Sequence, residues 1–364
     1  MSLTRRSFVI SLAGAGACIA ADKGQAFPSE AKRYADEATE NYVVRLTDPA
    51  HQSWLPAPYS RAISHKNDFL LYSSDRTGVV QAYRLDLKNG ESRALTGVPD
   101  LVPDSLTLAP DDRDFAYLAG PSLHLARFNA PRAREVYRVE EAFHLGTGFS
   151  LSEDGLVAAL VEQKPGLSRL RLITMRTGAA VTLAESPEPI SDPQPRPKRA
   201  AVMYRRNGEL WLVNYDGAQN RKMRIAPGAL AAALWSADGR TIDYLNIPTD
   251  PKQLHNIREF TPDTNEDRFV SNTTQFVTFN RNADTSVFVG ASGSRASPYL
   301  LLLLPSVKRE LTLCQHRASD PRQVTAFFSP NSQRVVFQSD RDGKMAIYSM
   351  AVDKLVAETE TEEP

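Results

Sequence analysis

What most constrains this chain is a phrase that recurs along it. Near the C-terminus, Phe327-Phe328-Ser329-Pro330-Asn331-Ser332-Gln333 leads into Arg334-Val335-Val336-Phe337-Gln338-Ser339, then Asp340-Arg341-Asp342-Gly343, then Met345-Ala346-Ile347-Tyr348-Ser349-Met350. Ser-Pro-Asn-Ser and Asp-Arg-Asp-Gly are turn chemistry, and the runs between them are short and rich in β-branched and aromatic residues. The phrase predicts strand, turn, strand, turn, strand. Such a unit has two apolar faces and cannot cover them alone.

Copies follow at a spacing of roughly 40 to 50 residues, the period of propeller blades. Phe69-Leu70-Leu71-Tyr72-Ser73-Ser74-Asp75-Arg76-Thr77-Gly78 with Gln81 to Leu87 is nearly the same text. Ala109-Pro110-Asp111-Asp112-Arg113, Ser152-Glu153-Asp154-Gly155, Ser236-Ala237-Asp238-Gly239 and Asn280-Arg281-Asn282-Ala283-Asp284-Thr285-Ser286 each precede an apolar run, and Asn207 to Gly217 fits the second half of a unit. With the C-terminal copy this makes seven. The pattern predicts an all-β, seven-bladed β-propeller with TolB/WD40-like blades over residues 41–353, one domain whose neighbouring blades cover each other. Tyr42-Val43-Val44-Arg45-Leu46-Thr47 is the strand expected to pair into the last blade and close the ring.

The flanks read differently. Thr4-Arg5-Arg6-Ser7-Phe8-Val9-Ile10 followed by a small-residue apolar run makes residues 1–20 a twin-arginine export signal, cleaved after Ala20. An alternative is a lipoprotein-like site at Ala15-Gly16-Ala17-Cys18, with Cys18 as an acylated N-terminus. Either way the protein is expected in the periplasm or outside the cell, touching membrane only through the signal or that lipid. Residues 21–40 are polar, with one or two turns of helix expected over Ser29 to Glu37. The Pro-rich stretch Ser186 to Pro197 reads as a loop within the fourth blade, because proline lacks a ladder donor. Residues 354–364 form an acidic tail expected to be disordered.

Forty-three basic residues balance forty-three acidic ones, so no overall field favours nucleic acid. There are two cysteines, and removal of the signal leaves Cys314, in an apolar run, as a buried small hydrophobe. None of the six histidines (His51, His65, His124, His144, His255, His316) forms a short metal-ligand pair with another. Gly290-Ala291-Ser292-Gly293-Ser294 falls one residue short of a nucleophile elbow.

Nearly the whole of the chain, Asp36 to Val352, resembles the oligogalacturonate lyases, seven-bladed propellers that cleave short pectin fragments. The residues that carry the resemblance are Val44-Arg45-Leu46-Thr47 after Asp36 and Thr39, Tyr83-Arg84-Leu85-Asp86-Leu87 with Gly90-Glu91 and Ala94-Leu95-Thr96, and Leu210-Trp211-Leu212-Val213-Asn214-Tyr215-Asp216-Gly217. Trp235 with Asp238-Gly239 and Leu313-Cys314-Gln315-His316 ahead of Phe328-Ser329-Pro330-Asn331 complete the set. The resemblance implies β-elimination on oligogalacturonides. Removing the C5 proton builds a second negative charge beside a carboxylate, so a cation must neutralise the acid group and a base must reach C5. In the family the cation is manganese in a His-rich site, and an arginine takes the proton.

At those positions this chain departs from the family. The closing-blade His-Pro-His-Pro run corresponds to Gln323-Val324-Thr325-Ala326, with Asp320 where the family has Gln. Thr278 replaces the histidine of the preceding blade, Ala232 another, and Glu209 stands at the base position. Gln and Thr are poor ligands for a cation that prefers imidazole, so no manganese site is expected, whereas Asp320 and Glu209 could serve calcium. Arg205 and Arg206, near the vacated base position, and His316, which matches a family histidine, are the candidates for binding substrate. Three readings stay open: an exported lyase, an inactive propeller that binds an acidic oligosaccharide, and a periplasmic scaffold for a protein partner.

Overall fold

The computed structural model describes residues 23–130 and 132–357. The segment expected to be an export signal, with Cys18, and residues 358–364 of the expected acidic tail lie outside them; the tail's first residues, expected to be disordered, instead belong to the short helix Asp353–Ala357. Seven antiparallel sheets follow one another along the chain. Their inner strands are Ser53–Trp54, Thr107–Leu108, His144–Leu151, Ile190–Pro195, Ala229–Trp235, Asn280–Arg281 and Ala326–Phe328, on blades 1 to 7.

In five of the blades the inner strand ends in the same turn, because its residues satisfy the same backbone groups. In blade 5, Ser236 Oγ donates to Asp238 Oδ1 at 2.8 Å and accepts from Thr241 N at 3.0 Å, while Gly239 takes φ +69°. In blade 7, Ser329 Oγ donates to Asn331 Oδ1 at 2.7 Å and accepts from Arg334 N at 2.9 Å, with Ser332 at φ +58°. The first residue thus caps the amide five positions on, and the fourth takes the left-handed backbone that completes the turn.

Strand residues alternate between two buried faces. Leu70 and Tyr72 pack against blade 7 residues Phe327, Val336 and Ile347, while Phe69 and Leu71 pack against Leu108, Phe115 and Tyr117 of blade 2. The described residues form seven hydrophobic clusters, each between two neighbouring blades, and the last joins blade 6 to blade 7. At about 1.5–3 kcal/mol per buried Leu or Phe, these interfaces hold the ring together.

The ring is closed as expected. Tyr42–Arg45 pairs with Ala346–Ala351 of blade 7. The closure is longer than the sequence suggests. Lys32–Ala35, expected as helix, is a further strand paired with Tyr42–Arg45, since an exposed strand edge offers more than an isolated helical turn. Ala26–Phe27 then adds to the outer edge of blade 1, where Arg76 stacks 3.9 Å over Phe27 and meets Glu30 at 2.7 Å. The N-terminal arm therefore seals blades 1 and 7 together.

The Pro-rich stretch is also corrected. Ile190–Pro195 is the inner strand of blade 4. Only one side of an inner strand is hydrogen-bonded, so it is an edge strand, and edges and bulges are where proline is tolerated. The register breaks between Ser191 and Gln194, leaving Asp192 and Pro193 in a bulge.

Candidate functional site

The inner strand of blade 1 is split. Ser53–Trp54 and Ile63 both pair with Phe69–Ser74, and Leu55 to Ala62 between them leave the sheet. This segment reaches across the axis. Ala57 N donates to Asp104 O at 3.0 Å ahead of blade 2, the Tyr59 hydroxyl reaches Asp192 Oδ1 on blade 4 at 3.5 Å, and Pro58 O accepts from Asn280 Nδ2 on blade 6 at 3.1 Å. Pro58 and Tyr59 border the two chambers of the channel and stand between them as a plug. The proximal chamber, at the starts of the inner strands, has a volume of about 400 Å³; the distal chamber, at their ends, about 660 Å³. Both are of the size of small-molecule sites.

The proximal chamber brings aromatic, carboxylate, amide, hydroxyl and guanidinium groups together. Trp54, Tyr59, Asp104, Thr147, Asp192, Gln194, Arg205, Gln323, Thr325 and Gln338 line it with small apolar residues. Among the described residues, Arg205 is the one cationic side chain that lines it. The guanidinium donates to the carbonyls of Leu230 and Ala231 and lies 3.7 Å from Asp192 Oδ2. Asp192 has φ +51°, within the range an aspartate tolerates in a bulge. Burial, followed by the charges of Asp192 and Asp104, holds the Tyr59 hydroxyl well above the ordinary phenol range. The Asp104 carboxyl stays open to the chamber, yet its walls remove enough water to raise it above the usual carboxylate range, and the Asp192 charge adds to this.

No protein-family model matches the chain. An oligogalacturonide lyase of Pectobacterium atrosepticum is 27% identical over an alignment of 383 residues that covers 90% of this chain and 97% of that protein. An oligogalacturonate lyase of Dickeya dadantii is 25% identical, with the same coverage. The solved structure of an oligogalacturonate lyase in complex with manganese superposes with a TM-score of 0.85 at 21% identity, over 91% of this chain and 98% of that one. The chain is a seven-bladed propeller, similar to the oligogalacturonate lyases along nearly its whole length.

The positions carried over from the family divide in the structure. Ala232, Gln323 and Thr325 line the proximal chamber together with Arg205. Thr278 stands behind the wall, its hydroxyl donating to Val324 O at 3.0 Å. Asp320 caps the short helical turn Pro321–Gln323 and is held below the usual carboxylate range by its bonds to Arg322. Glu209 is exposed and bound by Lys222 at 2.5 Å. Asp320 and Glu209 therefore sit on blades 7 and 4, each with its own cation, and do not meet as a calcium pair. Arg206 points away from Arg205 along its strand, pairing with Glu188 at 2.7 Å and lying 4.8 Å from the Trp211 ring. His316 is fully buried, with Nε2 3.0 Å from Ser292 O and Nδ1 accepting from Ala318 N, so neither nitrogen is open to a sugar. Cys314 is fully buried too, and burial pushes its thiol up.

These donors do not fit the manganese of the family. The proximal chamber has no imidazole, Asp320 is turned to Arg322, and among the described residues no three His, Cys, Asp or Glu side chains converge. Tyr59, Asp104 and Asp192 were not among the sequence candidates. Their one signal is proline, in Leu55-Pro56-Ala57-Pro58-Tyr59 and in Asp192-Pro193, at positions where a blade should carry an unbroken inner strand.

Proposed function

We propose that the protein is an exported, carbohydrate-binding propeller that takes the end of a short acidic oligosaccharide, of the oligogalacturonide kind, into its proximal chamber. The observation that carries this is Arg205, a single guanidinium at the ring axis among amides and hydroxyls, at the same end of the channel as Gln323 and Thr325. A guanidinium matches a uronate carboxylate, the amides and carboxylates match ring hydroxyls, and Trp54 offers an apolar face to a sugar ring. The plug makes the chamber blind, which favours a chain end over the middle of a polymer. Export rests on the paired arginines of the first twenty residues.

Metal-assisted elimination is not part of this reading, since Thr278, Asp320, Gln323 and Thr325 do not form a ligand set. The same departure supports a second reading, a scaffold that binds a protein partner and no sugar. Titration calorimetry with di- and trigalacturonate separates them. Saturable heat that Arg205→Ala removes supports the sugar site, and a flat trace with both sugars supports the scaffold.

A further inference from the structure

We propose that Asp192, Tyr59 and Arg205 form a metal-independent centre for β-elimination, suited to uronides whose C5 proton and C4 oxygen lie on one face of the ring, as in 4-linked glucuronate. This rests on the reading of the proximal chamber as a uronide site. The Asp192 carboxylate is shared: Oδ1 lies 3.5 Å from the Tyr59 hydroxyl, and Oδ2 lies 3.7 Å from Arg205 Nη1 and accepts from the neighbouring Ser191 Oγ at 3.2 Å. All three side chains line the chamber. Asp192 is held by the bulge and by close packing on blade 3, where a Cβ on Gly148 would fall 2.8 Å from Asp192 N. The contacts to Tyr59 and Arg205 are longer than a tight ion pair or hydrogen bond, so a substrate can exchange into them.

The step balances within these residues. Asp192 takes the C5 proton, the C–H electrons become the C4–C5 double bond, the C4–O bond breaks, and Tyr59 protonates the departing oxygen. Asp192 then returns its proton to Tyr59 across their contact, which restores both groups without water, metal or redox partner. Before the transfer Arg205 is shared between Asp192 and the uronate. Once Asp192 is neutral, the guanidinium faces the doubly charged intermediate alone, so it stabilises the transition state more than the ground state. The raised phenol keeps Tyr59 protonated until the oxygen leaves.

The separation sets the stereochemistry. An acid and a base 3.5 Å apart cannot flank a sugar ring from opposite sides, just as the spacing of two carboxyls decides the outcome in glycosidases. They act on one face. In 4-linked glucuronate the C5 proton and C4 oxygen share a face, and in galacturonate they are opposed.

The test combines the ultraviolet absorbance of unsaturated uronate with calorimetry, on the purified protein in chelator, with 4-linked glucuronate oligomers and with trigalacturonate. Expected is product from the glucuronate oligomers, reduced about a hundredfold or more in both Asp192→Asn and Tyr59→Phe, while both variants still give binding heat. Product from trigalacturonate alone, product that appears only when manganese is restored, or product unchanged by both variants overturns the proposal. Heat without product from either sugar also overturns it and leaves the uronide-binding reading standing. Absence of heat from both removes that reading and this proposal with it. Should Asp192→Asn fail to fold, Tyr59→Phe, which removes one oxygen, decides alone.

Discussion

Two aspartates with left-handed backbones stand at opposite ends of the channel, and they are used differently. Asp112, beside the distal chamber, has φ +56° and is closed on itself: Arg61 Nη1 lies 2.6 Å from one oxygen, and the His65 amide donates to the other at 2.9 Å. Burial alone would raise this carboxyl, but the His65 amide and the Arg61 guanidinium outweigh it and hold it below its usual range. Asp192, in the proximal chamber, has φ +51°, contacts of 3.5 and 3.7 Å to Tyr59 and Arg205, and one bond of 3.2 Å from its neighbour Ser191. The distal pairs run between blades, Arg61 to Asp112 across blades 1 and 2, Arg281 to Asp243 across blades 6 and 5. Asp192 and Arg205 belong to one blade, so their pair contributes nothing to ring closure. Charge therefore ties the ring at one end of the channel and is left for a ligand at the other.

The largest effect is expected at the distal end. Arg281 lies 3.3 Å from Asp243, whose side chain is 2% exposed. Burial outweighs the attraction of Arg281 and pushes the Asp243 carboxyl up to about 7, and burial likewise lowers Arg281. The folded protein thus holds a proton that the unfolded chain releases near pH 4, so this group makes stability fall as pH rises from about 4 to about 7 and then level off. Arg281→Ala should cost up to about 3–5 kcal/mol at pH 8, where Asp243 loses its counter-charge, and clearly less at pH 5.5, where Asp243 is already neutral. Urea titrations at both pH values check this. An equal cost at the two would show that Arg281 acts through its bond to the Trp235 carbonyl and not through charge.

Arg205→Ala should do the reverse. Loss of a charge-assisted bond worth about 1.5–3 kcal/mol lowers uronide affinity at least tenfold, while the melting temperature shifts by a few degrees at most. Calorimetry and thermal scans of the same sample give both numbers. A melting loss as large as that of Arg281→Ala would make the two chambers alike, with Arg205 as one more inter-blade tie through the Leu230 and Ala231 carbonyls.

Between these lies Gly148→Ala. Gly148 has φ +102°, and an added Cβ would meet Pro193 Cδ at 2.7 Å and Asp192 N at 2.8 Å. Forcing it in should cost about 1–3 kcal/mol and displace Asp192, so affinity falls together with stability. Unchanged affinity would mean that the bulge on blade 4 is not what places the carboxylate.

The blades were legible in the sequence because one turn chemistry recurs in front of most of the apolar runs, and those copies carry the same local instruction. The site was legible only in part. Arg205, Gln323 and Thr325 came into view through the family's motif positions, whereas Arg206, next in the strand, points to the opposite face, and His316 is spent on two backbone groups. Tyr59, Asp104 and Asp192 come from the plug, the link between blades 1 and 2, and a bulge. No local pattern joins these three segments, since ring closure alone brings them to one chamber. The proline rule misled at Ile190–Pro195 for a related reason: a strand at the channel wall is an edge, and only the closed ring makes it one.

The smallest effect gives the sharpest contrast. Glycine at a left-handed position removes a Cβ penalty of about 1–2 kcal/mol but gives the unfolded chain more freedom, so the backbone contributions of Asp→Gly nearly cancel at both sites. What remains is the side chain. Asp112→Gly should lose about 1–3 kcal/mol, because Arg61 is left partly buried without its carboxylate and the His65 amide without its acceptor. Asp192→Gly breaks two long contacts and one bond to the adjacent Ser191, all of a partly exposed group and together worth about 1 kcal/mol, and should leave the melting temperature within a few degrees of wild type. Equal losses in the two variants would place Asp192 among the ring's ties. A stable Asp192→Gly protein would show a carboxylate kept at the axis at little benefit to the fold, where its use is to meet whatever enters the chamber.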